Sequence, residues 1–183
     1  MEIERGFVVG ASEDGIVYYR ESKNEYGLEI DQNSLEWLEV VQKKLKRAYN
    51  KKSRIRKTTK GYFRLNVYSK ELFSELSRYR KKPSLVLQES EEFQRGFLQG
   101  IFDAEGSVRK ERRHLTVSSK RKETIRILKI LLKEFGINIG KPNKDKNNVI
   151  SIPFYGKENL KRFEKQIGFR HPAKNNRLRI LLS

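Results

Sequence analysis

Two carboxylates stand at matching places in the chain. Asp14-Gly15 closes the stretch GFVVGASEDG that begins at Gly6, and Glu105-Gly106 closes GFLQGIFDAEG, which begins at Gly96. Both stretches are apolar and glycine-studded, so each reads as a helix finishing on an acid. A carboxylate at a helix C-terminus is disfavoured by the macrodipole by about 0.3–1 kcal/mol. Two such carboxylates brought together repel each other further. Hard divalent cations held by carboxylate and backbone oxygens offset that repulsion. Paired cations between acids are a means of hydrolysing phosphodiesters, since they activate water and neutralise the leaving oxygen. The plainer alternative makes both acids solvated residues before C-cap glycines, because Asp-Gly and Glu-Gly are ordinary turn pairs. A single copy would favour that alternative; two copies at equivalent positions favour the cation.

The elements that must position these acids also come twice. Arg5-Gly6-Phe7 returns as Arg95-Gly96-Phe97, and the same order of elements follows each copy. In the first copy periodicity predicts a helix over 2–14, strands over 15–21 and 26–31, and a helix over 34–49. Strands over 53–58 and 61–68 and a helix over 69–80 complete it. The second copy predicts a helix over 90–105, strands over 106–111 and 113–119, and a helix over 122–135. Strands over 137–141 and 148–155 and a helix over 157–167 follow. Leu35, Leu38, Val41 and Leu45 line one helical face, with Asn33 and Glu36 at capping-box spacing. Thr124, Leu128, Leu131 and Phe135 line the equivalent face, and Gly136 ends that helix. The chain thus divides into a first unit, 1–82, a linker, 83–90, broken by Pro83 and closed by the helix cap Ser90, a second unit, 91–171, and a basic tail, 172–183.

Within the acid-bearing helices, Gly96, Gly100 and Ala104 recur four residues apart, and Gly6 and Gly10 give the matching stripe. Stripes of small residues let helices meet backbone to backbone. The two helices therefore pack against each other, one from each unit, with their acidic ends side by side.

The chain has 183 residues, enough to bury a core, and carries 41 Lys and Arg against 23 Asp and Glu, a net charge of +18. Such a charge points to a polyanionic partner, most often nucleic acid. The basic residues are spread along the chain and no apolar run approaches the roughly 18 residues of a membrane span, which argues against a membrane. There is no cysteine, and only His114 and His171 offer imidazole. Disulfides, thiolate nucleophiles and zinc-finger ligand sets are excluded, and a histidine-built metal site is disfavoured. Both histidines read as surface residues and Trp37 as packing. The opening MEIERGF lacks the pattern of a signal peptide, so an intracellular setting is expected, in a prokaryotic cytoplasm or an organelle.

A helix and two hairpins per unit predict an α+β fold with two four-stranded antiparallel sheets. Each sheet has one apolar face against helices. The other face is expected to carry Tyr18, Arg20, Arg54, Arg56, Tyr62, Arg64, Asn66 and Tyr68 in the first unit, and Arg109, Thr116, Ser118, Asn138 and Ser151 in the second. Basic, aromatic and amide side chains on one face suit a nucleic-acid groove, although a merely solvated sheet face is also polar. The net charge and the duplication favour the groove.

LQGIFDAEG (98–106) resembles the nine-residue LAGLIDADG motif, matching at Leu98, Gly100, Asp103, Ala104 and Gly106, with Ile101 and Glu105 as close equivalents. FVVGASEDG (7–15) is a weaker copy. Nearly the whole chain is similar to a monomeric, two-motif LAGLIDADG homing endonuclease. The resemblance implies two αββαββα units, motif helices at the central interface, and sheets forming a saddle over the DNA major groove. It implies that Asp14 and Glu105 bind Mg²⁺ near the scissile phosphates, with the carbonyls of Glu13 and Ala104 as further ligands. Mn²⁺ would substitute, and Ca²⁺ would bind without supporting cleavage. Polar residues after the second strand of each unit would support the attacking water; the matching positions are Gln32 and Ser119 or Lys120. The implied activity is cleavage of both strands at one long, asymmetric site, by a monomer, in the service of intron or intein mobility.

The first motif departs from the family pattern. Ser12 stands where an apolar or acidic residue is usual, and Gly10 sits one place late when Asp14 is aligned with Glu105. A displaced Asp14 would slow or abolish cleavage of one strand. The alternative is then a non-cleaving nucleic-acid binder, either a maturase acting on intron RNA or a DNA-binding repressor. A basic RNA-associated structural protein without sequence preference is a third, blander reading.

Overall fold

The computed structural model describes residues 1–109 and 114–183. The ends of the expected strands 106–111 and 113–119 that fall on residues 110–113 lie outside the described residues. The first unit runs α1 (Glu2–Ala11), β1 (Gly15–Arg20), β2 (Glu25–Gln32), α2 (Leu35–Tyr49), β3 (Arg54–Lys57), β4 (Phe63–Tyr68) and α3 (Lys70–Lys81). The second runs α4 (Glu91–Glu105), β5 (Gly106–Arg109), β6 (His114–Ser119), α5 (Lys122–Glu134), β7 (Asn143–Lys144), β8 (Ile150–Tyr155) and α6 (Lys157–Gln166), followed by α7 (Pro172–Leu182). The sheets have equivalent orders, β1-β2-β4-β3 and β5-β6-β8-β7, with every pairing antiparallel. The expected architecture, two αββαββα units with four-stranded antiparallel sheets, is the one observed.

Serine caps start three of the helices. The hydroxyls of Ser34, Ser69 and Ser90 accept from the backbone N–H of Trp37, Leu72 and Phe93, respectively. The cap of α2 is therefore Ser34, not the Asn33–Glu36 box expected. Its inward face is carried by fully buried Trp37, Leu38, Val41 and Leu45, while Leu35 is exposed. Gly136, with φ +69°, closes α5 in the left-handed conformation that a residue with a Cβ avoids.

Three stretches differ from the sequence-based expectation. The linker is a 3₁₀ helix, Pro83–Gln88, with Pro83 and Val86 buried. The basic tail is helix α7, anchored by fully buried Leu178. No strand forms over 137–141. Pro153 sits in β8, and its carbonyl accepts from Gly140 N–H at 2.7 Å. The N–H and C=O of a strand residue point to the same side, so a strand at 137–141 would need the donor that Pro153 lacks. The ladder on that edge is only the two residues of β7.

The core runs through both units. α1 and α4 cross at their glycines. A Cβ on Gly6 or Gly10 would stand closer than 3.0 Å to the Phe93 or Phe97 carbonyl oxygen, and one on Gly96 or Gly100 equally close to that of Ile3 or Phe7. The two helices thus touch backbone to backbone, as the stripes predict. Among the described residues no helix is long and apolar enough to cross a membrane.

Candidate metal and nucleic-acid site at the paired motif helices

Gly10 lies against the backbone of Phe97 and Ile101, and Gly100 against that of Phe7 and Ala11. The glycines are therefore in register although the acids are not: four residues separate Gly10 from Asp14, and five separate Gly100 from Glu105. The structure removes this discrepancy locally. α1 stops at Ala11 and the chain tightens into a 3₁₀ turn, Ser12–Asp14, whereas α4 stays α-helical to Glu105. A 3₁₀ turn climbs about 2.0 Å per residue against about 1.5 Å for an α-helix. Three tight residues thus span about 6 Å, the span of four α-helical ones, and make close to the same rotation. Each sheet then begins on the following glycine, Gly15 or Gly106. Ser12 is accommodated in this turn, fully buried, with its hydroxyl donating to the Val9 carbonyl at 2.7 Å.

The acids end near each other. Burial raises the pKa of Glu105, and the Asp14 charge raises it further. Asp14 is raised by burial as well, against the hydrogen bond it accepts from Gln32 Nε2. Gln32, at the end of β2, is thus placed against the Asp14 carboxylate. Lys120 is exposed and shares a cleft of about 330 Å³ with Glu13, Glu105, Ser118, Ser119 and Arg121. Glu13 points its carboxylate across the interface between units, to Arg121 Nη1 at 3.1 and 3.2 Å. Among the described residues no cluster of three acids or histidines forms; the donor set is two carboxylates and the carbonyls beside them.

What the sequence reading lacked is the positive charge at these helix ends. Arg80, from α3, donates to the carbonyls of Ser12 and Gly15, the latter at 2.6 Å. Lys174, from α7, donates to those of Phe102, Asp103 and Ala104 at the end of α4. A cation on the last carbonyls of each motif helix offsets both the macrodipole and the acids. Asp103 is fully buried, accepts from Arg170 N–H at 2.9 Å and from the Trp37 indole at 3.4 Å, and is pushed up by burial to about 6. Burial brings Lys174 down to about 8, against the pull of Asp103, Glu105 and Asp14. Trp37 is buried as expected, and His171 stacks on it at 6.2 Å between centroids. The histidines are not simple surface residues: His171 is half-buried, and His114 is buried against Tyr155 on the outer face of the second sheet.

The expected groove residues fall on the outer sheet faces with one exception. Tyr18 and Arg20 on β1, Arg54 and Arg56 on β3, and Arg64, Asn66 and Tyr68 on β4 share one face by register, with Tyr62 just before β4. Arg109, Thr116, Ser118 and Ser151 share the other outer face, where the Ser118 and Ser151 hydroxyls lie 2.7 Å apart. Asn138 is on neither sheet. Its backbone N–H and C=O are both bonded to the Asn159 side chain, because the strand expected to carry it does not form.

The first outer face also carries acids that the sequence reading left out. Asp31 takes Arg64 in a bidentate pair at 2.6 and 2.7 Å, which holds its carboxyl below the usual range. Glu29 takes Arg20 at 3.1 Å and Arg64 at 3.3 Å, and Glu25 takes Arg20 at 2.9 Å. The alternation that turned Leu28 and Ile30 inward would have turned these acids outward.

Two pseudo-symmetric αββαββα units joined at glycine-faced helices, with acids paired at the helix ends, define a LAGLIDADG-fold protein. The comparisons with known proteins agree. A family model described as a LAGLIDADG-like domain matches residues 92–168, and one described as the WhiA LAGLIDADG-like domain matches residues 5–76. Homing endonuclease I-ApeI of Aeropyrum pernix is 30% identical over 96% of this chain and 86% of its own length. The chain belongs to the LAGLIDADG homing endonuclease family. I-DmoI in complex with DNA and Mn has the same fold, with a TM-score of 0.72 at 20% identity over 91% of this chain and 97% of that one. Full-length DUF199/WhiA from Thermatoga maritima gives a TM-score of 0.65 at 19% identity over 98% of this chain and 60% of that one.

Proposed function

We propose that this protein is a site-specific, double-strand DNA endonuclease of the homing type. The observation that carries the reading is the convergence of Asp14 and Glu105 at the paired helix ends, with Gln32 and Lys120 beside them. Half-buried carboxylates, both raised by burial and Glu105 further by the Asp14 charge, next to carbonyls that already attract an ammonium group, are the donor chemistry of a hard divalent cation. Asp14, Glu105 and the carbonyls of Glu13 and Ala104 would hold Mg²⁺, or Mn²⁺ in its place. When bound, the metal activates water and neutralises the leaving oxygen. Gln32 fixes the Asp14 carboxylate, and Lys120 supplies positive charge to a phosphate entering the cleft. The solved complexes of I-DmoI with DNA and Mn or DNA and Ca support divalent-metal use on DNA.

The outer sheet faces would bind the duplex. Their unlike chemistry, arginine–carboxylate pairs on one and hydroxyls on the other, suits a long asymmetric target read by one monomer. Arginines held by carboxylates are preorganised for bidentate contact with guanine, and Lys120 and the exposed Arg54, Arg56 and Arg109 suit phosphate.

A second reading, a LAGLIDADG protein that binds nucleic acid without cutting, rests on the match of the first unit to the WhiA domain. One experiment separates the two. A randomised duplex library is incubated with the protein in Mg²⁺ and in Ca²⁺, and bound and cut sequences are recovered. The endonuclease gives one enriched sequence in both ions and cleavage in Mg²⁺ alone. Enrichment without cleavage in Mg²⁺ leaves the binder, and no enriched sequence sinks both readings.

A further inference from the structure

Lys174 has no part in the family resemblance, yet it occupies the donor set at the second motif. Its ammonium donates to three backbone oxygens, those of Phe102, Asp103 and Ala104, at the point where α4 ends. The charged groups that face it are Asp103, Glu105 and Asp14 on the acidic side and Arg177 on the basic side. α7 brings it there. That helix packs on α6 and β5, buries Leu178, and follows His171, which is stacked on Trp37. The other motif end is arranged differently. Arg80 takes the carbonyls of Ser12 and Gly15, on either side of Glu13 and Asp14, and it is Lys174 that acts on the Asp14 charge.

We propose that Lys174 is an internal cation that holds the Ala104 carbonyl until a divalent cation displaces it, so that α7 sets the metal affinity of the paired acids. The inference rests on the reading that Ala104 and Glu105 are metal ligands. A carbonyl lone pair directed at an ammonium is not free for a metal, and a positive charge beside the acids opposes a second one. In the absence of metal the same ammonium counters the acids that the helix end brings together.

The test uses Tb³⁺, a hard cation, with Ca²⁺ as competitor. Trp37 is the chain's single tryptophan and its indole bonds Asp103, two residues from Glu105. Tb³⁺ at the acid pair is therefore sensitised when tryptophan is excited. Lys174→Met should lower the half-saturating Tb³⁺ concentration by roughly tenfold or more. Lys174→Arg, which keeps the charge, should stay close to the wild type. In the wild-type protein, saturating Ca²⁺ should speed acetylation of Lys174 as read by peptide mass spectrometry. Unchanged or weaker Tb³⁺ binding by a folded Lys174→Met, or Lys174 reactivity that does not rise with Ca²⁺, overturns the proposal. If Lys174→Met fails to fold, the acetylation measurement decides alone. Glu105→Gln distinguishes the two levels of failure. A Tb³⁺ signal that Glu105→Gln abolishes but Lys174→Met leaves unmoved sinks only the role of Lys174. A signal that survives Glu105→Gln, or is absent from the wild type and Lys174→Met alike, sinks the metal reading and this inference with it.

Discussion

The two motif ends bring an acid to the helix interface with different parts. At the first, the α-helix stops early, a 3₁₀ turn carries Asp14, Gln32 fixes the carboxylate, and Arg80 caps the carbonyls. At the second, the α-helix continues to Glu105, Lys174 caps the carbonyls, and buried Asp103 ties the helix end to Arg170 and Trp37. The worn appearance of the first motif is thus a matter of residue count, which a tighter helix absorbs. What governs the site is where the acid ends in space, and a one-residue deletion leaves that nearly unchanged when the last turn winds more tightly.

The strongest test of that equivalence is to remove each acid alone. If both ends serve the reaction, Asp14→Asn and Glu105→Gln should each lower cleavage of one strand by on the order of a thousandfold, equivalent to about 4 kcal/mol. Binding should hold or tighten slightly as negative charge leaves the phosphate's vicinity. Single-strand nicking rates on an end-labelled target read this directly. If Asp14→Asn cuts like the wild type while Glu105→Gln does not, the first end is an ornament and the comparison fails.

Next come the glycines the two ends share. Gly10→Ala and Gly100→Ala both push a methyl group at a backbone carbonyl of the other helix, Phe97 or Phe7. Each should cost about 3 kcal/mol in urea unfolding, because backbone in a packed helix pair cannot yield as a side chain would. The two costs should agree within about 1 kcal/mol; a large inequality would mean that the pseudo-symmetry stops short of the helix contact.

The caps sharpen the contrast. Arg80→Met should cost about 2 kcal/mol by releasing the Ser12 and Gly15 carbonyls, yet leave Tb³⁺ affinity within about twofold. Asp103→Ala should cost a similar amount, about 2 kcal/mol, by leaving the Arg170 N–H and the Trp37 indole without an acceptor. Parallel denaturation and luminescence titrations separate stability from ion binding at each end. If Arg80→Met shifts Tb³⁺ affinity as far as Lys174→Met is expected to, the two caps are equivalent after all.

Much of this arrangement was legible in the sequence, and the boundary has a physical cause. The repeat, the helix and strand order and the glycine contact follow from local periodicity, which a single chain displays. Gln32 could be named because the resemblance fixes a position relative to a strand end; its bond to Asp14 is a feature of the fold. Arg80 and Lys174 were invisible to such reasoning. Each reaches carbonyls 65 residues or more away in sequence, and a long basic side chain carries no periodic sign of where it will end. The missing strand at 137–141 is different, since Pro153 announced it once the strand opposite was known. The acids of the first sheet, Glu25, Glu29 and Asp31, are legible too, since they alternate with Leu28 and Ile30 along β2.

The smallest effect tests the finest part of the comparison, the position two residues before each acid. Asp103 holds it in the second motif and Ser12 in the first. Asp103 joins α4 to residues far along the chain, whereas the Ser12 hydroxyl, among the described residues, bonds only the Val9 carbonyl of α1. A local back-bond of that kind adds little net stability, because it competes with the helix's own donors. Ser12→Ala should therefore cost about 0.5 kcal/mol, against about 2 kcal/mol for Asp103→Ala, and leave both nicking rates unchanged. A loss of first-strand nicking in Ser12→Ala would mean that the back-bond sets the pitch of the 3₁₀ turn, and with it the reach of Asp14. The hydroxyl would then be what replaces the missing residue.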